Sequence, residues 1–180
     1  MVCDTAKPRG LVATEYNARR QQCEQAAAVM GLQALRDADL DILAANRSRL
    51  DEVVYRRARH VVTENARVLE AAAALRAADF QELGRLFRAT HVSLRDDYEV
   101  SCPELDTMVE IATETDGCFG ARLMGAGFGG CAIAVVAPDK AEAFRETVEG
   151  RYRAATGRNG RTFATIPSEG ASLVVPPANG

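Results

Sequence analysis

Four glycines within Met124-Gly-Ala-Gly-Phe-Gly-Gly130 constrain this chain more than any other stretch. Glycine loses more conformational freedom on folding than any other residue, so such a run needs positive φ angles or backbone approached too closely for a Cβ. The flanks place it. Cys118 to Leu123 leads in and Cys131 to Val136 leads out, and both read as short buried strands. The spacing predicts a wide glycine turn between two strands. Such a turn can aim successive N–H groups at an anion, or it can let another segment pack on bare backbone. It carries no charged side chain, so any ligand contact would run through the backbone.

Gly125-x-Gly127-x-x-Gly130 also fits the dinucleotide fingerprint, but that site needs a helix opening at the last glycine. Here the following residues alternate like a strand. A protein-kinase glycine loop does lie between strands, yet the chain has no His-Arg-Asp and no Asp-Phe-Gly. His60 and His91 have no partner at ligand spacing, so zinc is not expected.

Charge and composition narrow the class further. Lys plus Arg is 22 against 25 Asp plus Glu, a net charge of −3. With the basic residues scattered among acids, a nucleic-acid partner is not expected. No apolar run approaches the roughly 20 residues of a membrane span, and no signal peptide opens the sequence. Cysteines 3, 23, 102, 118 and 131 form no C-x-x-C, which suits reduced thiols in the cytoplasm.

Met1 to Thr5 reads as a strand that starts abruptly, and Lys7 to Gly10 turns the chain into a helix over 12–31. A long helix follows over 51–76, with Val54, Ala58, Val61, Val68, Ala72 and Leu75 on one face and Asn65 on the same stripe. Asp79 and Glu82 form a capping-box pair opening a helix that faces Phe80, Leu83, Phe87 and Leu94 one way. Ser101-Cys-Pro-Glu104 is a second such start, for a helix to Thr115 with Pro in its first turn. Pro138-Asp139 starts a helix whose Phe144, Val148 and Tyr152 form a stripe, ending by Gly157. Thr162 to Ile166 and Ala171 to Val175 read as closing strands, and 176–180 as a frayed tail. This order predicts an α+β fold, an antiparallel sheet with helices packed on one face. Residues 1–100 are expected to form a strand and a helical part, 101–176 an α+β part with the glycine motif, and 177–180 a tail.

Several stretches resemble the galactokinases. Met124-Gly-Ala-Gly-Phe-Gly-Gly-Cys131 is similar to the third motif of the superfamily of galactokinase, homoserine kinase, mevalonate kinase and phosphomevalonate kinase. Leu94-Arg-Asp-Asp-Tyr-Glu-Val-Ser-Cys-Pro-Glu-Leu-Asp106 resembles the galactokinase segment ahead of it. Thr14-Glu-Tyr-Asn-Ala-Arg-Arg20, followed by Gln22-Cys-Glu24, resembles a galactokinase helix start, and Tyr55-Arg-Arg-Ala-Arg-His-Val-Val62 is also similar. The four stretches in this order are specific to galactokinases, and the likeness runs from about residue 1 to 175.

That resemblance implies a ferredoxin-like C-terminal domain. It also implies transfer of the ATP γ-phosphoryl to the C1 hydroxyl of galactose. The family's Gly-Leu-Ser-Ser-Ser-Ala-type phosphate loop and its Asp in a Met-Asp-Gln context do not occur here. The chain therefore resembles a C-terminal half, with ATP and Mg²⁺ bound mainly by the other half. No catalytic residue is expected in this chain, turnover by the isolated chain is not expected, and self-association through surfaces that face the other half is. By resemblance, Tyr16 gives its hydroxyl to galactose. Gly125, Gly127, Phe128, Gly129 and Gly130 lie near ATP or support the phosphate loop, either by packing or by direct contact. Arg9 stands one residue from Pro8, the position that matches a basic residue near the nucleotide phosphates, with a plain surface arginine as the alternative.

Asp96, Asp97, Glu99, Glu104 and Asp106 could suggest a metal. They read better as first-turn acids and as partners of Arg95 or Arg88. His91 reads as a packed or capped histidine. A silent sugar-sensing regulator and an N-acetylgalactosamine kinase are the alternatives to a galactokinase.

Overall fold

The computed structural model describes residues 1–8, 12–168 and 170. The predicted closing strand at 171–175, the tail and Arg9 lie outside them. A four-stranded antiparallel sheet is built from β1 (Val2–Asp4), β2 (Cys118–Leu123), β3 (Cys131–Val136) and β4 (Arg161–Phe163), in the order β2-β3-β1-β4. The first strand of the chain is thus an inner one. It pairs Val2 with Ile133 and Asp4 with Cys131 on one side, and Cys3 with Thr162 on the other.

Alternation along the strands turns Cys3, Ala121, Ala132 and Ala134 to one face. That face is covered by α5 (Pro103–Glu114) and α6 (Ala141–Thr156) through Met108, Val109, Ile111, Ala112, Phe144, Val148 and Tyr152. Small residues on the sheet and large ones on the helices let the layers interdigitate. The expected stripe Phe144, Val148, Tyr152 is fully buried, and Gly157 ends α6 in the left-handed region at φ 69°. Ile166 is exposed and the fourth strand stops at Phe163, because β1 offers it only Val2–Asp4 as partners.

α1 (Val12–Met30), α2 (Leu40–Ala45) and α3 (Glu52–Arg76) form a second core around Ala26, Ala27, Leu35, Leu43, Leu50, Val54 and Ala58. The short α2 with its Asp39 cap was not legible in the sequence. The stripe expected along α3 is only half used. Val54 and Ala58 are buried and Val61 is half-buried, whereas Val68 and Leu75 are exposed, and Val62, off the stripe, is buried instead. A helix of 25 residues is about 37 Å long, and of the apolar residues of α3 the core shared with α1 and α2 takes in only Val54, Tyr55, Ala58 and Val61.

α4 (Phe80–Asp96), capped by Asp79 accepting from the Glu82 amide, joins the two cores. It lies along the open edge of β2, where Arg88 donates to the Phe119 carbonyl and the His91 ring accepts from the Leu123 amide. A helix thus covers an edge that would otherwise present unpaired backbone groups. The second expected capping box does not form. Cys102 is the N-cap of α5, and the Ser101 hydroxyl bonds the Asp106 carboxylate at 2.5 Å instead.

Candidate functional site

The glycine turn connects β2 and β3 as expected, and it is held almost wholly in left-handed backbone. Gly125, Gly127, Gly129 and Gly130 have φ of 81°, 82°, 126° and 83°, and Phe128 between them has 60°. The loop is fixed at three places. The Met124 amide donates to Cys131, the Phe128 amide to the Val100 carbonyl at 2.8 Å, and the Gly130 amide to the Lys7 carbonyl at 3.0 Å. The Gly130 carbonyl in turn accepts from both the amide and the hydroxyl of Thr5. A Cβ on Gly127 would stand 2.0 Å from the Val100 oxygen, and one on Gly129 would stand 2.8 Å from the Lys7 oxygen. Among the described residues the amides of Gly125, Ala126, Gly127 and Gly129 make no hydrogen bond.

The segment that receives the loop is itself clamped. Glu99 is left-handed at φ 52°, uncommon for a residue with a side chain. Its carboxylate pairs with Arg56 and Arg57, and hydrogen bonding to Arg57 holds that carboxyl below the usual range against the opposing effect of burial. Arg57 is 2 % exposed and also donates to the Asp97 carbonyl and to Gln22. Arg19, from α1, donates to the carbonyls of Tyr98 at 2.6 Å and Glu99 at 2.8 Å. Below this, Val100, Leu105 and Leu123 form a small apolar core that Phe128 packs on.

Tyr16 and the glycine turn come together. A cavity of about 190 Å³ is lined by Tyr16, Arg19, Tyr98, Gly125, Ala126 and Phe128, with Leu94 and Val100 behind. Tyr16 is 58 % exposed, and it also borders a second, larger cavity of about 460 Å³ against Cys23, Asn65 and Tyr98.

Residues 71–154 match the family model for the C-terminal domain of GHMP kinases. Over those residues the chain carries a GHMP-kinase C-terminal domain. It is 44 % identical to a galactokinase of Roseiflexus sp. (strain RS-1) over 97 % of this chain and 46 % of that protein. The crystal structure of Lactococcus lactis galactokinase complexed with galactose is similar at 41 % identity and a TM-score of 0.84, over 88 % of this chain and 42 % of that one. Mevalonate kinase of L. major, solved in complex with R-mevalonate, shares the fold at 24 % identity and a TM-score of 0.53, over 86 % of this chain and 37 % of that one. The chain thus spans about half the length of the relatives it matches, and residues 71–154 of it match the GHMP-kinase C-terminal domain.

Within this GHMP-kinase domain each acidic side chain of the 96–106 stretch has a protein partner. Asp96 pairs with Arg95, Asp97 with Arg59 rather than Arg88, and Glu104 with Lys7 at 2.9 Å and Arg158 at 3.2 Å. Burial pushes the Asp106 carboxyl up, but the adjoining His91 ring and the hydrogen bond from the Ser101 hydroxyl outweigh it and hold the group below its ordinary value. Among the described residues no cluster of three or more His, Cys, Asp or Glu could hold a metal ion. His91 is buried, with Nδ1 accepting from Leu123 and Nε2 facing Asp106 at 3.2 Å. Its Nδ1 is committed to the backbone, while Nε2 lies beside the Asp106 carboxylate without the alignment of a hydrogen bond. No described helix is long and apolar enough to cross a membrane.

Sequence reading missed Arg19, Arg57, Glu99 and Val100. Arg57 carried a signal: it sits three residues after Val54 and four before Val61, on the buried stripe of α3, and a charge there must be paired. Glu99 carried none, since only the fold sets its left-handed backbone.

Proposed function

We propose that this chain supplies the sugar-contacting tyrosine and the third-motif glycine loop of a galactokinase, which moves the γ-phosphoryl of ATP to the C1 hydroxyl of galactose. The observation that carries the reading is the single cavity shared by Tyr16 and the loop residues Gly125, Ala126 and Phe128. Phosphoryl transfer is catalysed mostly by positioning and by stabilising charge, with little covalent work for the protein. Tyr16 suits the first task, because an exposed phenol can hydrogen-bond a sugar hydroxyl in either sense. The loop suits both. Gly127 and Gly129 serve as packing surface, while the amides of Gly125 and Ala126 lie at the cavity, where a phosphate or the partner half's phosphate loop would meet them. Mg²⁺ would screen the phosphate charges when bound. The proposal makes residues 1–100 the part that meets the rest of the enzyme and 101–176 the part that presents the loop.

The test is Tyr16→Phe in the whole protein that carries this chain. Loss of one sugar hydrogen bond is expected to raise the KM for galactose about tenfold, roughly 1.4 kcal/mol, with the KM for ATP unchanged. The 180-residue chain alone is expected to give no turnover in a coupled assay. Unchanged galactose kinetics in the phenylalanine variant would refute the tyrosine assignment. A wild-type protein that binds galactose without phosphorylating it would instead indicate a sugar sensor.

A further inference from the structure

α1 and the glycine turn are far apart in sequence, yet one side chain touches both surroundings. Arg19 lies one helical turn beyond Tyr16 on α1, with its side chain only 11 % exposed. Its Nε donates to the Tyr98 carbonyl at 2.6 Å and its Nη2 to the Glu99 carbonyl at 2.8 Å. The guanidinium carbon also stands 6.0 Å from the centre of the Phe128 ring. Glu15, at 3.8 Å from Nη1, lies on the remaining side.

We propose that Arg19 is a positioning residue that fixes the glycine turn relative to the tyrosine-bearing face of α1. Two successive carbonyls, those of residues 98 and 99, are received by the two arms of one planar guanidinium, a geometry that a lysine ammonium does not reproduce. This holds Glu99 in its left-handed conformation from the backbone side, while Arg56 and Arg57 hold its carboxylate from the other. The next residue is Val100, whose carbonyl receives the Phe128 amide and lies directly against Gly127. Any shift of 98–100 therefore moves the middle of the turn. Arg19 also lines the cavity that Tyr16 and Phe128 share.

The kinetic half of the test rests on the galactokinase reading above, and the exchange half does not. Arg19→Gln and Arg19→Lys are made in the whole protein, and residue-resolved amide hydrogen exchange is followed with steady-state kinetics. Arg19→Gln is expected to speed exchange at Phe128 by about tenfold or more, with Leu123 and Ala134 unchanged. kcat is expected to fall by about tenfold or more while both KM values stay within about twofold, and Arg19→Lys should lie between. Unchanged Phe128 protection, or equal loss at Phe128, Leu123 and Ala134, would overturn the proposal by making Arg19 either idle or a general stabiliser. An active wild type with unchanged kcat in Arg19→Gln would overturn it as well. If the wild type transfers no phosphoryl group, the functional reading fails and the exchange pattern alone decides the role of Arg19. Should Arg19→Gln not fold, the same comparison in Arg19→Lys decides.

Discussion

The Phe128 amide donates to the Val100 carbonyl at 2.8 Å, and the Gly127 α-carbon lies so near the same oxygen that a Cβ would come within 2.0 Å of it. One peptide oxygen both anchors the glycine turn and denies it a side chain at the preceding residue. The need for glycine there is thus twofold. The backbone is left-handed at φ 82°, and the space is already occupied by backbone that cannot swing aside.

Gly127→Ala should therefore cost more than either effect alone. Left-handed backbone at a residue with a side chain costs roughly 1–2 kcal/mol, and relieving a backbone overlap adds about 1–3 kcal/mol. A loss of about 3 kcal/mol is expected in urea unfolding, with loss of Phe128 amide protection. Gly150 is the contrast. It sits inside α6, exposed, with nothing within 4 Å of an added Cβ. Gly150→Ala should gain about 0.5–1 kcal/mol. Similar costs for the two variants would mean that the turn relaxes freely and is not fixed by Val100.

Gly84 and Gly120 bring α4 into backbone contact with β2. A Cβ on Gly84 would meet the Phe119 oxygen at 1.9 Å, and one on Gly120 would meet the Gly84 oxygen at 2.3 Å. Neither residue has positive φ, so the requirement is one of space alone. Gly84→Ala must push the helix off the strand edge and weaken the Arg88 and His91 bonds to β2. A loss of at least about 3 kcal/mol is expected, together with faster exchange of the Leu123 amide. A stable variant with Leu123 still protected would show that α4 can slide without losing its hold on the edge.

These contacts mark how far the sequence could be read. The glycine turn, the helices from 51 to 115 and the Phe144–Tyr152 stripe were legible because local periodicity and capping agree with the final packing. The overestimated stripe on α3 and the misplaced cap at Ser101 fail for one reason. Each depended on which neighbour arrives, and local pattern does not specify that. The same holds for the candidate site. Its glycines announced themselves, whereas Val100 and Glu99 matter only because the fold sets their backbone against the turn. The inner position of β1 was equally hidden, since a strand's place in a sheet follows from pairing over more than a hundred residues of separation.

His60 gives the fold a pH dependence of known sign. It is buried, stacked on Tyr98 with ring centroids 4.5 Å apart and bonded through Nδ1 to Ser93, and burial drops its pKa to about 4 from 6.5. The unfolded chain therefore binds a proton that the folded one refuses between about pH 6.5 and 4. Stability should be full above pH 6.5 and should fall as pH drops through that window, by an amount on the order of 2–3 kcal/mol. Urea melts of the wild type and of His60→Gln between pH 4.5 and 8 separate this contribution from that of the carboxylates. The difference between the two proteins should shrink toward low pH. A constant difference would assign the fall to other groups.

Cys3 tests whether the first strand is as central as its pairing implies. It is fully buried between β3 and β4, with its neighbours paired on both sides, and burial pushes its thiol up to about 12. At pH 8 the thiolate fraction of such a group is about 10⁻⁴, so iodoacetamide should reach it only when the sheet opens. Cys102, at the partly exposed start of α5, needs no such event. Peptide mass spectrometry at rising urea should show Cys102 modified under native conditions. Cys3 should be modified only along the global unfolding transition, since β1 cannot leave the sheet without splitting β3 from β4. Early labelling of Cys3, well below the transition, would mean that residues 2–4 detach by themselves. The bonds from Thr5 and Lys7 to Gly130 would then be too weak to hold that end of the glycine turn.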